Sequence, residues 1–501
     1  MAINAGDSMM RASNRASKAR GARANATLPA GFAALSKLLA CPVCGNEEIM
    51  VDVASRALHC VSCDVRFPWI RCGSTHIPWM FPDPELTRLE WKARYNGFLQ
   101  SNSAEQARLK KGLGESRNSI AGRRRINRVL KGRKKHREQV TRLIAPLELR
   151  DLDWPADSAD LLHRKLPRNQ GLSSYTSNIF RDWAWDNGEN EALLIALERV
   201  LKADTRQNIG KTLTLGAGAC RLPYDVHRKY RPELSVAADI NPLLLQVASA
   251  VISGETITLH EFPIAPLNEA SFAVEQKCRA PASDGSLDGE NFLYLLADAT
   301  SPPIAKHSFD TVITPWLIDI LPQDLRAFMP RINHLLPEGG VWLNTGTLAF
   351  FHKEVSWCYS EEEVLGMVEE NGFEILSVER QPVPYLQSPH SAHGRVENVL
   401  SFCARKYDEA TIPQSYHYLP DWIVDTSQAV PNSADIVVSS SSHLLSAQVL
   451  ATIDGKRSIN QISRAVASQY GLGTPETIQA VKRVLVDAWE ENCFEEPDPD
   501  I

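Results

Sequence analysis

Two sets of residues in this chain combine type and spacing in a way suited to chemistry. The first is Cys41-Pro42-Val43-Cys44 with Cys60-Val61-Ser62-Cys63, two Cys-x-x-Cys pairs separated by fifteen residues. Four thiolates so spaced can surround one Zn²⁺ tetrahedrally, and Gly45 follows the first pair as a knuckle turn requires. A site closed by four thiolates leaves no open coordination position, so it stabilises folding and does not catalyse. The second set is Thr212-Leu213-Thr214-Leu215-Gly216-Ala217-Gly218-Ala219-Cys220-Arg221, with Asp239 about twenty residues on. A short apolar run ends in two glycines, and a second run, Ser235 to Ala238, ends in an acid. Glycines let the backbone approach a nucleoside, and the carboxylate accepts the ribose hydroxyls. Arg221 stands where a dinucleotide fingerprint has its third glycine. The turn therefore suits S-adenosylmethionine, which has no pyrophosphate to cradle, better than NAD.

These residues need elements to hold them. At 501 residues the chain is too long for one core, and two to four domains are expected. Its 44% hydrophobic and 23% charged residues are globular in balance, and the net charge of −6 argues against nucleic acid as the main partner. No apolar run reaches the roughly 18–20 residues of a membrane helix, so no membrane association is expected. Ten cysteines, four paired as above and others such as Cys220, Cys358 and Cys403 in apparent core, suit a reducing compartment. The expectation is cytoplasmic.

Along the chain, residues 1–27 read as a disordered tail, with a transit peptide as the alternative, and 28–84 as the cysteine unit. Residues 85–210 are helical in pattern and carry a basic run that includes Arg123, Arg124, Arg125, Arg128, Lys131, Lys134 and Lys135. Such a run is more often a solvated helix face than a nucleic-acid surface, which keeps nucleic acid as the lesser partner. From 211 to 407, apolar runs at 212–215, 235–238, 292–297, 309–313, 340–344, 373–378 and 398–404 alternate with helical patterns. That rhythm predicts an α/β fold, a seven-stranded Rossmann-like sheet whose last strand enters antiparallel beside the sixth. Residues 408–442, with Pro413, Pro420, Pro431 and serines 439–442, read as a linker, and 443–501 as a small helical or winged-helix domain.

Three resemblances add to this reading. The stretch from Leu39 through both cysteine pairs, Phe67-Pro68 and Ile77-Pro78-Trp79-Met80 resembles the zinc-ribbon activator subunits of tRNA and translation-factor methyltransferases. That resemblance implies an activator carried in cis. The segment from Val449 onward is similar to PqqD-like peptide-binding domains, which implies a peptide partner. A helical cap or a dimerisation module, and with it a homodimer, is the plainer reading.

The widest resemblance spans about 86–407. Phe180-Arg181-Asp182-Trp183, the glycine turn, Trp316-Leu317-Ile318-Asp319, Leu336-Pro337-Glu338-Gly339-Gly340-Val341-Trp342-Leu343-Asn344-Thr345-Gly346 and the Pro-rich insertion after Leu259 resemble, in this order, the carnosine N-methyltransferase family. This implies a class I methyltransferase sheet and S-adenosylmethionine as cofactor. It implies that Arg181, with Asn178 one turn before it, meets the cofactor's carboxylate, and that Gly216, Gly218 and Arg221 lie at the cofactor. Asp239 would take the ribose and Asp298 the adenine amine. Asp319 would hold a cationic acceptor, with a helix N-cap as its plainer reading. The family's histidine and its tyrosines before the last strand are displaced here, leaving His352 and Tyr385 as the substrate-side candidates. The expected reaction is methyl transfer to an imidazole or amine nitrogen of a small histidine-like compound or a peptide carrying one. The alternative is a non-catalytic or regulatory methyltransferase-fold module that binds RNA or peptide.

Overall fold

The computed structural model describes residues 30–490 apart from 74, 116–117, 150–170, 282–286, 288–290, 351–354, 413–426, 432–433 and 472. The expected tail, 1–27, and His352 lie outside the described residues. Contacts divide the chain into two units, Met1–Asn96 with Lys131–Tyr416, and Gly97–Leu130 with His417–Ile501.

In the first unit, helix α1 (Ala30–Ser36) leads into a four-stranded antiparallel sheet. Its strands are β1 (Ile49–Asp52), β2 (Ala57–Cys60), β3 (Arg66–Cys72) and β4 (Thr75–Pro78). Two long helices follow, α2 (Pro84–Gly114) and α3 (Ile120–Ile144), and both run across the division between the units. Helices α4 (Thr176–Trp183) and α5 (Glu189–Leu201) precede the large sheet.

That sheet is built by alternation. β5 (Lys211–Leu215), α6 (Arg221–Tyr230), β6 (Leu234–Asp239) and α7 (Pro242–Ile252) come first. A hairpin, β7 (Ile257–Glu261) with β8 (Val274–Cys278), interrupts the pattern. Then come β9 (Phe292–Leu296), β10 (Thr311–Pro315), α8 (Leu325–Leu335), β11 (Val341–Gly346), α9 (Glu361–Glu370), β12 (Phe373–Tyr385) and β13 (Arg395–Lys406). The strand order is β12-β13-β11-β10-β5-β6-β9. β9, β6, β5, β10 and β11 are mutually parallel, and β13 is antiparallel to both β11 and β12. Covered on both faces, the inner strands read as the continuous apolar runs that the sequence shows. Chain order reverses direction between β5 and β10, which makes their C-terminal ends the switch point where such sheets bind ligands. The hairpin was not foreseen. Its β7, Ile257-Thr258-Leu259-His260-Glu261, alternates only weakly between apolar and polar side chains.

The motif around Trp342 is architectural. The Trp342 indole donates to Thr314 Oγ1 (2.9 Å), Thr314 Oγ1 donates to Asn344 Oδ1 (2.9 Å), and the Asn344 amide donates to the Leu400 carbonyl (3.2 Å). This buried relay ties three strands together.

The cysteine sheet shares one hydrophobic core with the large sheet, in which Leu58, Phe67 and Met80 join Leu295, Val236 and Phe309. Trp79 bridges in parallel to Leu296, and the Met80 N–H donates to the Leu296 carbonyl (2.8 Å).

In the second unit, α10 (Ala434–Ala451), α11 (Ile459–Tyr470) and α12 (Thr474–Glu490) pack Val449, Ile462, Val466 and Val481 together. No strand occurs here among the described residues. The linker expectation fails at its C-terminal end, because serines 439–442 lie inside α10. Serine hydroxyls there bond back to carbonyls four residues earlier, as Ser441 does to Val437 (2.9 Å), and the helix tolerates them.

Candidate functional site

Four loops meet at the C-terminal ends of the parallel strands. After β5 the chain turns through Gly216 (φ +68°) and Gly218 (φ +59°). A Cβ on Gly216 would lie 2.9 Å from a Leu317 methyl, whereas one on Gly218 would meet nothing within 4 Å. Gly216 is thus required for packing against the loop after β10, and Gly218 faces open space. Cys220 also takes a left-handed conformation (φ +67°), starting α6.

Asp239, the last residue of β6, is buried. Its carboxylate accepts from the Gly218 N–H (2.8 Å) and the Asn241 N–H (2.8 Å), locking the glycine turn to the next strand. Burial pushes its pKa up to about 6, against the pull of backbone N–H groups of Asn241, Gly218 and Ile240. Asp298, past the end of β9, accepts from the Thr300 N–H and hydroxyl (both 2.8 Å) and remains half-buried.

Arg181 projects from α4. Its Nε donates to Asp182 (2.7 Å) and lies 3.9 Å from Glu189. Burial opposes its charge, and Asp182, Tyr385 and Glu189 outweigh that and hold the guanidinium protonated. Its Nη1 is buried with no hydrogen-bond partner among the described residues. A buried guanidinium nitrogen left unpaired is costly, and an anion placed against it removes the cost. Asn178, one turn earlier, is half-buried.

Arg221, expected at the cofactor, has two partners within the protein. Its Nε donates to Asp225 (2.8 Å) and its Nη1 to the Asp182 carbonyl (2.9 Å), so the side chain braces α6 against α4. Trp183 adds a second tie through its indole N–H to the Ala219 carbonyl (2.7 Å).

On the other side of the switch point, Asp319 is buried. It accepts from the Thr347 hydroxyl (2.5 Å) and the Ala349 N–H (3.0 Å), and burial raises its pKa. It does not cap a helix. Asp324 does, accepting from the Arg326 N–H (2.8 Å) at the start of α8. Asp319 instead links the loop after β10 to the loop after β11. Tyr385, at the end of β12, packs edge-on to Trp316 (4.6 Å between centroids) and beneath the Arg395 guanidinium (4.4 Å).

Three contributors were missed by sequence reasoning. Glu189 accepts from the N–H groups of Leu386 (2.9 Å) and Gln387 (3.3 Å), fixing the chain just after Tyr385 while it faces Arg181. Its signal, an acid in the first turn of α5, is too common to single it out. Trp316 has a left-handed backbone (φ +50°), and a Cβ on Gly346 would lie 2.9 Å from its nitrogen. Tyr175, just before α4, has its pKa raised by burial and by the charges of Asp239 and Tyr385.

The four cysteines form a separate cluster, their Sγ atoms all within 4.8 Å of one another. Cys41 and Cys63 are 3.6 Å apart and Cys44 and Cys60 3.5 Å. A disulfide needs about 2.05 Å. Four sulfurs about 2.3 Å from a common ion would stand roughly 3.8 Å apart, close to these separations. Hydrogen bonding from Asn46 draws the Cys44 thiol down to about 7, while burial pushes Cys41 up to about 12.

Sheet order, glycine turn and switch-point acids define a class I S-adenosylmethionine-dependent methyltransferase. Residues 162–408, slightly under half of the chain, match the family model described as carnosine N-methyltransferase. No curated protein matches the chain significantly. Among solved structures it is similar to Haemonchus contortus phosphoethanolamine N-methyltransferase 2 in complex with S-adenosyl-L-methionine (14% identity, TM-score 0.31, 48% of this chain and 58% of that one). It is similar also to a complex between the Haloferax volcanii Trm112 methyltransferase activator and a protein assigned as a methyltransferase (12% identity, TM-score 0.32, 47% of this chain and 97% of that one).

Proposed function

We propose that the enzyme methylates an imidazole or amine nitrogen of a small histidine-like compound, or of a peptide that carries one. The observation that carries this reading is the buried Nη1 of Arg181, which has no hydrogen-bond partner among the described residues. In this reading Arg181 receives the cofactor's carboxylate, with Asn178 beside it. Gly216 and Gly218 give the backbone its close approach, Asp239 accepts the ribose hydroxyls and Asp298 the adenine amine. The cofactor supplies an electrophilic methyl group on a sulfonium centre.

Asp319, buried and negatively charged once ionised, holds a cationic amine of the acceptor at the switch point. Tyr385 and Trp316 wall the same opening and exclude water, which strengthens that attraction. His352, outside the described residues, is the proposed proton acceptor for the attacking nitrogen. Arg221 is reassigned from contact to positioning, since its donors already hold α4 in place.

The four cysteines fit a structural Zn²⁺ by donor type, number and separation. The ribbon they organise then serves as an in-cis stabiliser, consistent with its shared core. A PqqD-like role for the C-terminal unit would make the acceptor a peptide.

Isothermal titration with S-adenosylhomocysteine tests the cofactor half, and absence of binding at millimolar ligand would sink the proposal. Incubation with labelled cofactor and a panel of imidazole compounds and histidine peptides tests the acceptor half. Chelation is expected to lower the melting temperature of the methyltransferase sheet. If it melts residues 41–80 alone, the stabiliser role is wrong.

A further inference from the structure

Glu189, buried in the first turn of α5, gives both carboxylate oxygens to a turn far along the chain. Oε1 accepts from the Leu386 N–H (2.9 Å) and Oε2 from the Gln387 N–H (3.3 Å). Leu386 stands in the left-handed region (φ +49°), a conformation that a side chain of its size adopts only where its surroundings impose it. Those surroundings are Glu189 and Asn187, whose amide donates to the Gln387 carbonyl (2.8 Å). Tyr385, which packs on Trp316, immediately precedes this turn. The same Glu189 carboxylate approaches Arg181 without bonding to it. Arg181 Nε stands 3.9 Å from Glu189 Oε1, beyond hydrogen-bond distance. The two backbones are fixed to each other, because the Asn190 amide donates to the Arg181 carbonyl (2.7 Å). Arg181 Nη1 has no hydrogen-bond partner among the described residues. Two sets of donors therefore compete for one buried carboxylate: the N–H pair of the turn and the unpaired guanidinium nitrogen.

We infer that Glu189 is a positioning residue that couples the two halves of the site. An anion seated on Arg181 keeps Glu189 on the 386–387 turn, so the cofactor's carboxylate sets the wall at Tyr385 before the acceptor arrives. While Nη1 is unpaired, a fraction of molecules swing the Glu189 carboxylate from the turn to the guanidinium, and Leu386 relaxes from its left-handed state. An anion on Nη1 satisfies that nitrogen and repels a second carboxylate, which shifts the population to the bonded turn. This coupling rests on the proposed reading of Arg181 as the receiver of the cofactor's carboxylate.

The test is amide hydrogen exchange of the full chain, read by mass spectrometry in peptides spanning residues 382–396. Saturating S-adenosylhomocysteine should slow exchange at Leu386 and Gln387 by about fivefold or more. 5′-Methylthioadenosine, which has the nucleoside but no carboxylate, should not. Glu189→Gln keeps the shape and one acceptor oxygen but loses the charge, and in it bound S-adenosylhomocysteine should no longer slow exchange. Asn187→Ala removes a bond to the same turn and leaves the carboxylate between turn and guanidinium. Its exchange should be faster without ligand and should still slow when S-adenosylhomocysteine binds. If S-adenosylhomocysteine does not bind, the proposed cofactor site fails and this coupling with it. If it binds and exchange at 386–387 is unchanged, or if methylthioadenosine protects equally, the coupling alone is overturned. The coupling is overturned too if Glu189→Gln keeps the full effect or Asn187→Ala loses it, and the Glu189→Gln result decides if methylthioadenosine does not bind.

Discussion

Asp239 and Asp319 are both buried carboxylates on the C-terminal side of the parallel sheet, the first ending β6 and the second in the loop after β10, and they are held by different means. Asp239 is fixed by backbone N–H groups, which any sequence with that turn supplies. Asp319 depends on a threonine hydroxyl and one N–H from the loop after β11. The first site is built from main chain and changes only with the fold. The second is built from side chains and loops, and small substitutions re-aim it. The cofactor end of such an enzyme is thus conservative in construction, and its acceptor end is adaptable.

The contrast can be broken most directly at Arg181. Arg181→Ala should weaken S-adenosylhomocysteine binding by about 100-fold, the worth of charge-assisted hydrogen bonds to a carboxylate, as read by titration calorimetry. Arg181→Lys, a point charge without the fork, should recover only part of it. Next in size, Asp319→Ala should lower kcat/KM for the acceptor tenfold or more while cofactor affinity holds. Loss of both would place Asp319 on the cofactor side and erase the distinction.

Asp239 gives a pH signature. With its pKa raised to about 6 from 3.8, the carboxyl favours folding while protonated, and that contribution is lost as pH rises from about 4 through 6. Asp239→Asn should therefore stabilise the cofactor-free chain at pH 7, by on the order of 1–3 kcal/mol in denaturant titration, and weaken cofactor binding about tenfold. In the parent, cofactor affinity should increase with pH through about 6, and the variant should lack that dependence. Smallest of all, Arg221→Ala should change cofactor affinity no more than about threefold, because its bonds are to Asp225 and a carbonyl. A larger loss would return it to the cofactor.

Legibility follows the same division. Gly216, Gly218, Asp239 and the four cysteines were readable because local spacing dictates their geometry. The seven strands were readable because burial on both faces imposes apolar runs. Glu189 was not, since its meaning comes from N–H groups nearly two hundred residues away at Leu386 and Gln387. Nor were the bonds of Arg221 to Asp225 and the Asp182 carbonyl, because the second partner lies 39 residues away. The N-cap reading of Asp319 failed because Asp324, five residues on, has the extended backbone a cap requires (ψ +135°). The β7–β8 hairpin escaped notice because its prolines suggested a loop.

The bond from Met80 to Leu296 has one more consequence. β9 is the last strand of the large sheet on its side, and an uncovered last strand is a template on which another chain can add. Trp79 and Met80 pair with Leu296, at its C-terminal end. The cysteine ribbon thus covers the Leu296 end of that edge. If the four cysteines hold Zn²⁺ as proposed, chelation should expose that end and bring aggregation before unfolding, as light scattering during a thermal ramp would read.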